Sequence, residues 1–395
     1  QDFEAMQLSL DITRGKPSSK QLDLANDLLS LPGDQYLLDG TDTRNYGGVD
    51  GLPPMKALFS EILQVSTDNI VVGGNSSLNM MYDTLARGCQ FGVPGGDGPL
   101  HRLESRKFIC PTPGYDRHFK VTEHLGFELV MVDVNDDGPD MDQVEALVSS
   151  DHDIKGIWCV PKYSNPTGCC YSEETTDRLA RMSAAPDFRI LWDNAYAEHH
   201  LTDDRPDLAN IMSLCVAAGN ADRVIEFAST SKISHPGSGV ACLAASEANI
   251  ADIKRHLSVQ TIGPDKVNQI RHLQLFKNIE GLREHMKKHA ELVKPKFDLV
   301  DQVLERELGG LGIATWTKPK GGYFVSLDGP DGTAKKIVQL AADAGVKLTG
   351  AGAPFPYGND PRDRNIRIAP TFPVLKEVGQ ATEVLATCIK LAASA

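Results

Sequence analysis

The sequence predicts an α/β protein: a large domain on a mostly parallel seven-stranded sheet, joined to a smaller α+β domain. Three observations carry this. The middle of the chain alternates short apolar runs with helical stretches, the rhythm of parallel strands covered by helices on both faces. A length of 395 residues exceeds what one simple core organises. Between residues 281 and 308, Met286, Leu292, Val293, Phe297, Val300, Val303, Leu304 and Leu308 recur at helical spacing, which predicts a long helix bridging two bodies.

The strands are predicted at 70–73, 107–110, 128–132, 156–160, 189–192, 224–227 and 240–244. Most are rich in Val, Ile and Phe and are bounded by Gly, Pro or Asn. Helical patterns such as 172–183 fill most of the intervals. The glycine-rich stretch 88–99 reads as a mobile insertion. Pro295 should kink the bridging helix. Beyond it, a strand-like 322–327, a helix at 333–344, a strand at 365–368 and a last helix at 375–391 make up the smaller domain. The N-terminal segment is expected to join it, giving a large domain over 40–295 and a small one over 1–39 and 296–395.

Composition narrows the function. A net charge of −13 disfavours a nucleic-acid partner, whose phosphates it repels, while local cations can still bind a small anionic substrate. No apolar run is long enough to cross a bilayer. The opening Gln1-Asp2-Phe3-Glu4 lacks the basic and apolar regions of a signal peptide. The eight cysteines form no C-x-x-C pair, so a zinc site is not expected, and reduced thiols in a cytoplasmic protein are the plain reading. The pair His199-His200 has no spaced partner and reads as hydrogen-bonded rather than metal-binding.

In open parallel sheets, ligands bind beyond the carboxyl ends of the strands, and five polar groups fall there. Asn75-Ser76-Ser77 follows the first strand and opens a helix, where unpaired N–H groups and the helix dipole favour an anion. Taken alone, ordinary capping by Asn or Ser is the better reading of that motif. Tyr115 follows the second strand and Asn165 the fourth. Asp193 emerges from Ile190-Leu191-Trp192 and needs a cationic partner if buried. Tyr196 lies three residues on; helix capping and core packing are the plainer roles for that pair. Lys232 follows Val-Ile-Glu-Phe-Ala and the hydroxyls of Ser229, Thr230 and Ser231. A lysine at the mouth of an apolar strand is poised to lose its proton and act as a nucleophile. With an Asn, an Asp and a Tyr before it in this order, it can hold pyridoxal phosphate as a Schiff base, with the Asp on the pyridinium nitrogen. Arg367, on a short strand, can clamp a carboxylate through two parallel bonds, or serve a structural ion pair.

The set Asn165-Pro-Thr-Gly168, Asp193-x-x-Tyr196, Ser229-x-Ser-Lys232 and Arg367 resembles the fold-type I, pyridoxal-phosphate-dependent aminotransferases. Arg14-Gly15-Lys16-Pro17, Asn45-Tyr46-Gly47-Gly48 and Pro319-x-Gly-Gly-Tyr323 agree, so the likeness spans nearly the whole chain. Within it, Pro111-Thr-Pro-Gly-Tyr-Asp-Arg-His118 is similar to an aspartate aminotransferase subgroup related to the aminotransferase domain of MocR-type regulators.

The resemblance implies roles. Lys232 would carry the cofactor and shuttle the proton. Asp193 would pair with the ring nitrogen, Asn165 and Tyr196 with the ring oxygen, and Tyr115 would stack on the ring. Asn75, Ser76, Ser77, Ser229 and Ser231 would surround the phosphate. Tyr46 would reach the phosphate of a neighbouring subunit in a homodimer with shared sites. Arg367 and Asn165 would hold the substrate α-carboxylate, with Gly15 and Lys16 closing over it, and the Asn165–Pro166 bond would be cis. Aspartate and 2-oxoglutarate would be the substrates of a ping-pong transfer. Aromatic or alanine donors, a carbon–sulfur lyase, or a sensor that binds the cofactor without turnover are the alternatives. A second cation for a dicarboxylate would come from Arg14, Lys16, Arg102, Arg117 or Lys120. One departure stands out: the family places an Arg about eight residues past the lysine, on the phosphate, and position 240 here is Val.

Overall fold

The computed structural model describes residues 7–394; residues 1–4, read above for a leader, lie outside them. The large sheet has eight strands rather than the expected seven, in the order Ile70–Val72, Ala241–Ala245, Val224–Ser229, Arg189–Asp193, Ile154–Cys159, Lys107–Thr112, Glu128–Asn135, Gly138–Pro139. The extra one is a two-residue edge strand, antiparallel to Glu128–Asn135. It is too short to carry a periodic pattern, and its proline is tolerated because it sits at the sheet edge.

The strands from Val224–Ser229 to Glu128–Asn135 pair in parallel. Ala241–Ala245 is antiparallel to both its neighbours, so Ile70–Val72 again runs with the parallel set. Its carboxyl end therefore opens on the same edge as the others. The chain leaves Lys107–Thr112 toward one side for Glu128–Asn135 and returns on the other for Ile154–Cys159. That reversal places a crevice between the loops carrying Tyr115 and Asn165.

Two apolar clusters cover the faces of this sheet, one around Ile109, Ile157, Trp192 and Phe59, the other around Phe108, Trp158, Phe227 and Leu243. A third core gathers Leu10, Ile12, Val300, Leu304, Leu327, Ile366 and Leu385. The bridging helix Ile279–Leu308 serves both bodies: Leu282 and Met286 lie in the first core, Val293 and Phe297 in the third. It runs as one element through Pro295, where a kink was expected. Pro295 and Glu291 are exposed, so the carbonyl that proline leaves without an N–H partner faces water.

Around the third core lie a three-stranded antiparallel sheet of Thr315–Trp316, Val325–Asp328 and Asn365–Ile368, and the helices Ala334–Asp343 and Leu375–Ala393. The N-terminal strand Leu10–Asp11 pairs in parallel with Val346–Lys347. The helix Ser77–Phe91 runs through Gly88, so the glycine-rich loop begins only at Gly92. Its backbone is anchored, because the Arg189 guanidinium donates to the carbonyls of Pro94, Pro186 and Phe188. Among the described residues, no helix is long and apolar enough to cross a membrane.

Candidate active site

A cavity of about 370 Å³ lies beyond the carboxyl ends of the strands, where the two bodies meet. Its walls include Ser76, Ser77, Tyr115, Asn165, Asp193, Tyr196, Ser229, Ser231 and Lys232 from the large sheet, Gly15 and Lys16 from the N-terminal segment, and Arg367 from the small sheet. Twelve of the predicted residues thus converge. Two lie elsewhere. The side chain of Asn75 turns toward the carbonyls of Pro236 and Gly237, and its own carbonyl accepts from Ser231 Oγ at 3.3 Å. Tyr46 is 82% exposed.

Lys232 sits one turn past the strand Val224–Ser229. Burial drives its ammonium below the usual lysine range, while Asp193 pulls the other way. Its Nζ lies 4.9 Å from the centre of the Tyr196 ring. The loop holding it is pinned from behind. Thr230 Oγ1 accepts from the Val240 N–H at 2.9 Å and bonds His272 Nε2 at 3.1 Å. Ser234 Oγ reaches the same imidazole nitrogen at 2.8 Å. His272 Nδ1 donates to the Asn268 carbonyl at 2.8 Å, which leaves Nε2 as the acceptor of those hydroxyls.

Asp193 closes its strand with no helix following before Ile211, so it does not cap one. His118 Nε2 donates to its Oδ2 at 2.9 Å. Its Oδ1 is buried and has no hydrogen-bond partner among the described residues. His118 stacks on Trp158 at 4.0 Å and meets Tyr115 edge-on at 4.8 Å. Burial, with Asp193 and Asp116 nearby, pushes the Tyr115 phenol up to about 12. Tyr196 is driven well above the usual tyrosine range, again by burial first, so both phenols keep their protons as donors.

Opposite the lysine, Ser76 precedes the helix Ser77–Phe91 yet makes no side-chain capping bond. Its hydroxyl is left available, with Ser77 and the helix's first N–H groups beside it. Ser231 Oγ accepts from Ser229 Oγ at 3.1 Å, closing the same wall. Near Arg367, Asn165 precedes a cis Asn165–Pro166 bond and accepts from Arg367 Nη1 at 3.4 Å. The same Nη1 donates to Asp116 at 2.9 Å.

These residues fit pyridoxal phosphate. The orphaned Asp193 oxygen matches a protonated ring nitrogen, a lysine biased to neutrality matches the aldehyde, and a helix start with free hydroxyls matches the phosphate.

Sequence reasoning quoted Asp116 and His118 only within a motif, read Thr230 only as one of the hydroxyls before Lys232, and missed Ser234 and His272. His118 carried a signal, since three residues past Tyr115 on one helix puts both on a shared face. His272 carried none, being 42 residues from Thr230. His200, weighed for metal, bonds the Tyr163 hydroxyl through Nδ1 at 2.7 Å.

The profile of the aspartate amino-transferase family matches residues 1–395. A curated aspartate aminotransferase of Corynebacterium glutamicum is 46% identical, covering 100% of this chain and 91% of its own length. A crystal structure titled as an aspartate transaminase from that organism superposes with a TM-score of 0.97 at 46% identity, covering 100% of this chain and 93% of that one. The α-aminoadipate aminotransferase of Thermus thermophilus, solved with N-(5'-phosphopyridoxyl)-L-leucine, shares the fold at 19% identity, with a TM-score of 0.78 over 99% of this chain and 95% of that one. With a family match over its whole length and a cavity built for that cofactor, the chain belongs to the aspartate aminotransferase family, pyridoxal-phosphate-dependent aminotransferases of fold type I.

Proposed function

We propose that the enzyme transfers the amino group of aspartate to 2-oxoglutarate by a ping-pong mechanism, giving oxaloacetate and glutamate. The observation that carries the choice of dicarboxylates is the distribution of cations in one cavity. Arg367 lies buried on one wall, while Arg14, Lys16 and Arg117 line the same cavity. Of the five cations considered from sequence, Arg102 and Lys120 are not among its walls, and Lys120 pairs with Glu123. The C. glutamicum relative bearing the aspartate aminotransferase name supports the same choice.

Bound pyridoxal phosphate supplies the electron sink that lets the amino acid lose its Cα proton. The chain does the rest. Arg367 and Asn165 hold the α-carboxylate, which fixes the Cα–H over Lys232. Lys232, kept toward its neutral form by burial, takes that proton and returns it on the far side of the transfer. Asp193, oriented by His118, keeps the ring nitrogen protonated. Asn165 and Tyr196 would donate to the ring oxygen and Tyr115 would stack on the ring when the cofactor is bound. Ser76, Ser77, Ser229 and Ser231 would hold the phosphate in place of the absent arginine, with the Asn75 carbonyl bracing Ser231 from behind. The segment at Gly15 and Lys16 closes over the substrate and excludes water.

Tyr46 belongs, in this reading, to a homodimer with shared sites. Its exposed ring stands on a loop that Lys266 clamps through the carbonyls of Asn45 and Gly47, at 2.7 and 2.6 Å. A side chain held rigidly outward suits a partner's phosphate. The acidic chain with reduced thiols fits a cytoplasmic location.

Comparing kcat/KM for aspartate, alanine and phenylalanine, with 2-oxoglutarate as acceptor, tests the assignment. Aspartate should lead by at least about tenfold. A lead for alanine or phenylalanine would move the enzyme to another donor class. No turnover with any donor, while the cofactor binds, would make the chain a sensor.

A further inference from the structure

Arg367 is only 6% exposed, and the chain itself already holds part of its guanidinium. Nη1 donates to Asp116 Oδ1 at 2.9 Å and to Asn165 Oδ1 at 3.4 Å. The guanidinium carbon lies 5.1 Å from the centre of the Phe324 ring, which covers one face. Nε is buried and has no partner among the described residues.

A guanidinium can grip a carboxylate through its two terminal nitrogens, or along the edge formed by Nε and Nη2. Asp116 and Asn165 between them engage both protons of Nη1, which closes the first mode. The second edge remains, and the unpartnered Nε stands on it. Leaving a buried donor unpaired costs on the order of 1–3 kcal/mol, so this edge is the one place where an acceptor completes the group.

Asp116 has a fixed position from which to do this. It is the first residue of the helix Asp116–His124, and His118 in the same turn donates to Asp193. One helix start therefore touches both the carboxylate facing the cofactor ring and the arginine facing the substrate. Without Asp116, the guanidinium would keep only the weaker contact to Asn165 and would rotate about its last torsions.

We propose that Asp116 is a positioning residue. It sets the roll of the Arg367 guanidinium so that the Nε–Nη2 edge meets the substrate α-carboxylate in parallel bonds. The inference deepens the assignment of Arg367 as the α-carboxylate clamp and rests on it. The contrary role is a competitor: an internal carboxylate that substrate must displace. The two roles give opposite signs when Asp116 is changed.

The test uses the holoenzyme and the variants Asp116→Asn, Asp116→Ala and Arg367→Lys. Each is measured for KM and kcat with aspartate and with 2-oxoglutarate, and for the calorimetric dissociation constant of succinate, a dicarboxylate with no amino group to transfer. Arg367→Lys should weaken succinate and raise both KM values. Asp116→Asn, nearly the same shape, should raise both KM values and the succinate constant together by about tenfold, with kcat changed less than about threefold. Asp116→Ala should do so more strongly. If Arg367→Lys weakens binding while both Asp116 variants leave it unchanged or tighten it, the positioning role is overturned and the clamp stands. If Arg367→Lys leaves the KM values and the succinate constant unchanged, the clamp itself is wrong and the positioning role falls with it.

Discussion

His118 donates through Nε2 to one oxygen of Asp193 at 2.9 Å, and the other oxygen has no partner among the described residues. The carboxylate is thereby held at one side and offered at the other. His118→Phe keeps a flat ring on Trp158 but removes the donor. Losing a hydrogen bond to a charged group is worth about 1.5–3 kcal/mol. Cofactor release, followed by dialysis and absorbance, should become about ten- to a hundredfold easier, with a fall in kcat. Unchanged affinity and rate would show that Asp193 needs no such support.

Lys232 Nζ lies 4.9 Å from the centre of the Tyr196 ring, in the cavity that Lys16 also lines. Lys232→Ala should abolish the visible absorbance of the bound cofactor and lower transamination by several orders of magnitude. Turnover near that of the unmodified enzyme would refute the assignment.

Thr230 ties the lysine loop to Val240 and His272. Thr230→Val keeps the shape but leaves the Val240 N–H without an acceptor, at a cost of about 1–3 kcal/mol. The midpoint of thermal unfolding should drop by a few degrees, with a looser cofactor. A midpoint equal to that of the parent would mean the loop is held by other contacts.

Glu226 is buried in the strand Val224–Ser229, its Oε1 has no partner, and burial pushes its carboxyl up to about 8. An acid that titrates higher in the folded than in the unfolded state contributes stability below its unfolded pKa. It loses that stability as pH rises toward the folded value. The window here runs from about 4.5 to about 8. Glu226→Gln removes the titration, so its thermal midpoint should gain on the parent's as pH rises through that window. A constant difference between the two across the window would show that Glu226 is ionised in the fold.

Much of the cavity's lining was legible because most of its predicted residues end or follow a strand. The strand pattern reads off β-branched and aromatic runs, and the polar residues after them mark one edge. Ser76 shows the limit. Capping and anion binding predict the same sequence, and only the uncommitted hydroxyl in the fold separates them. The eighth strand was illegible because two residues carry no period. Pro295 shows another limit: packing, not the proline itself, decides which side of the helix faces out and so whether the freed Glu291 carbonyl meets water.

By itself the sequence determined the α/β class, the bridging helix, the lysine with its Asn, Asp and Tyr, and the family they point to. These are local or periodic signals, fixed by side-chain type and spacing along one strand or helix. Tertiary structure decided the contacts between distant segments. Asp116 meets Arg367 across 251 residues, His118 meets Asp193 across 75, and His272 meets Thr230 across 42. Such pairs leave no mark in spacing, because they exist only once the sheet order and the packing of the two bodies have brought those segments to the same edge.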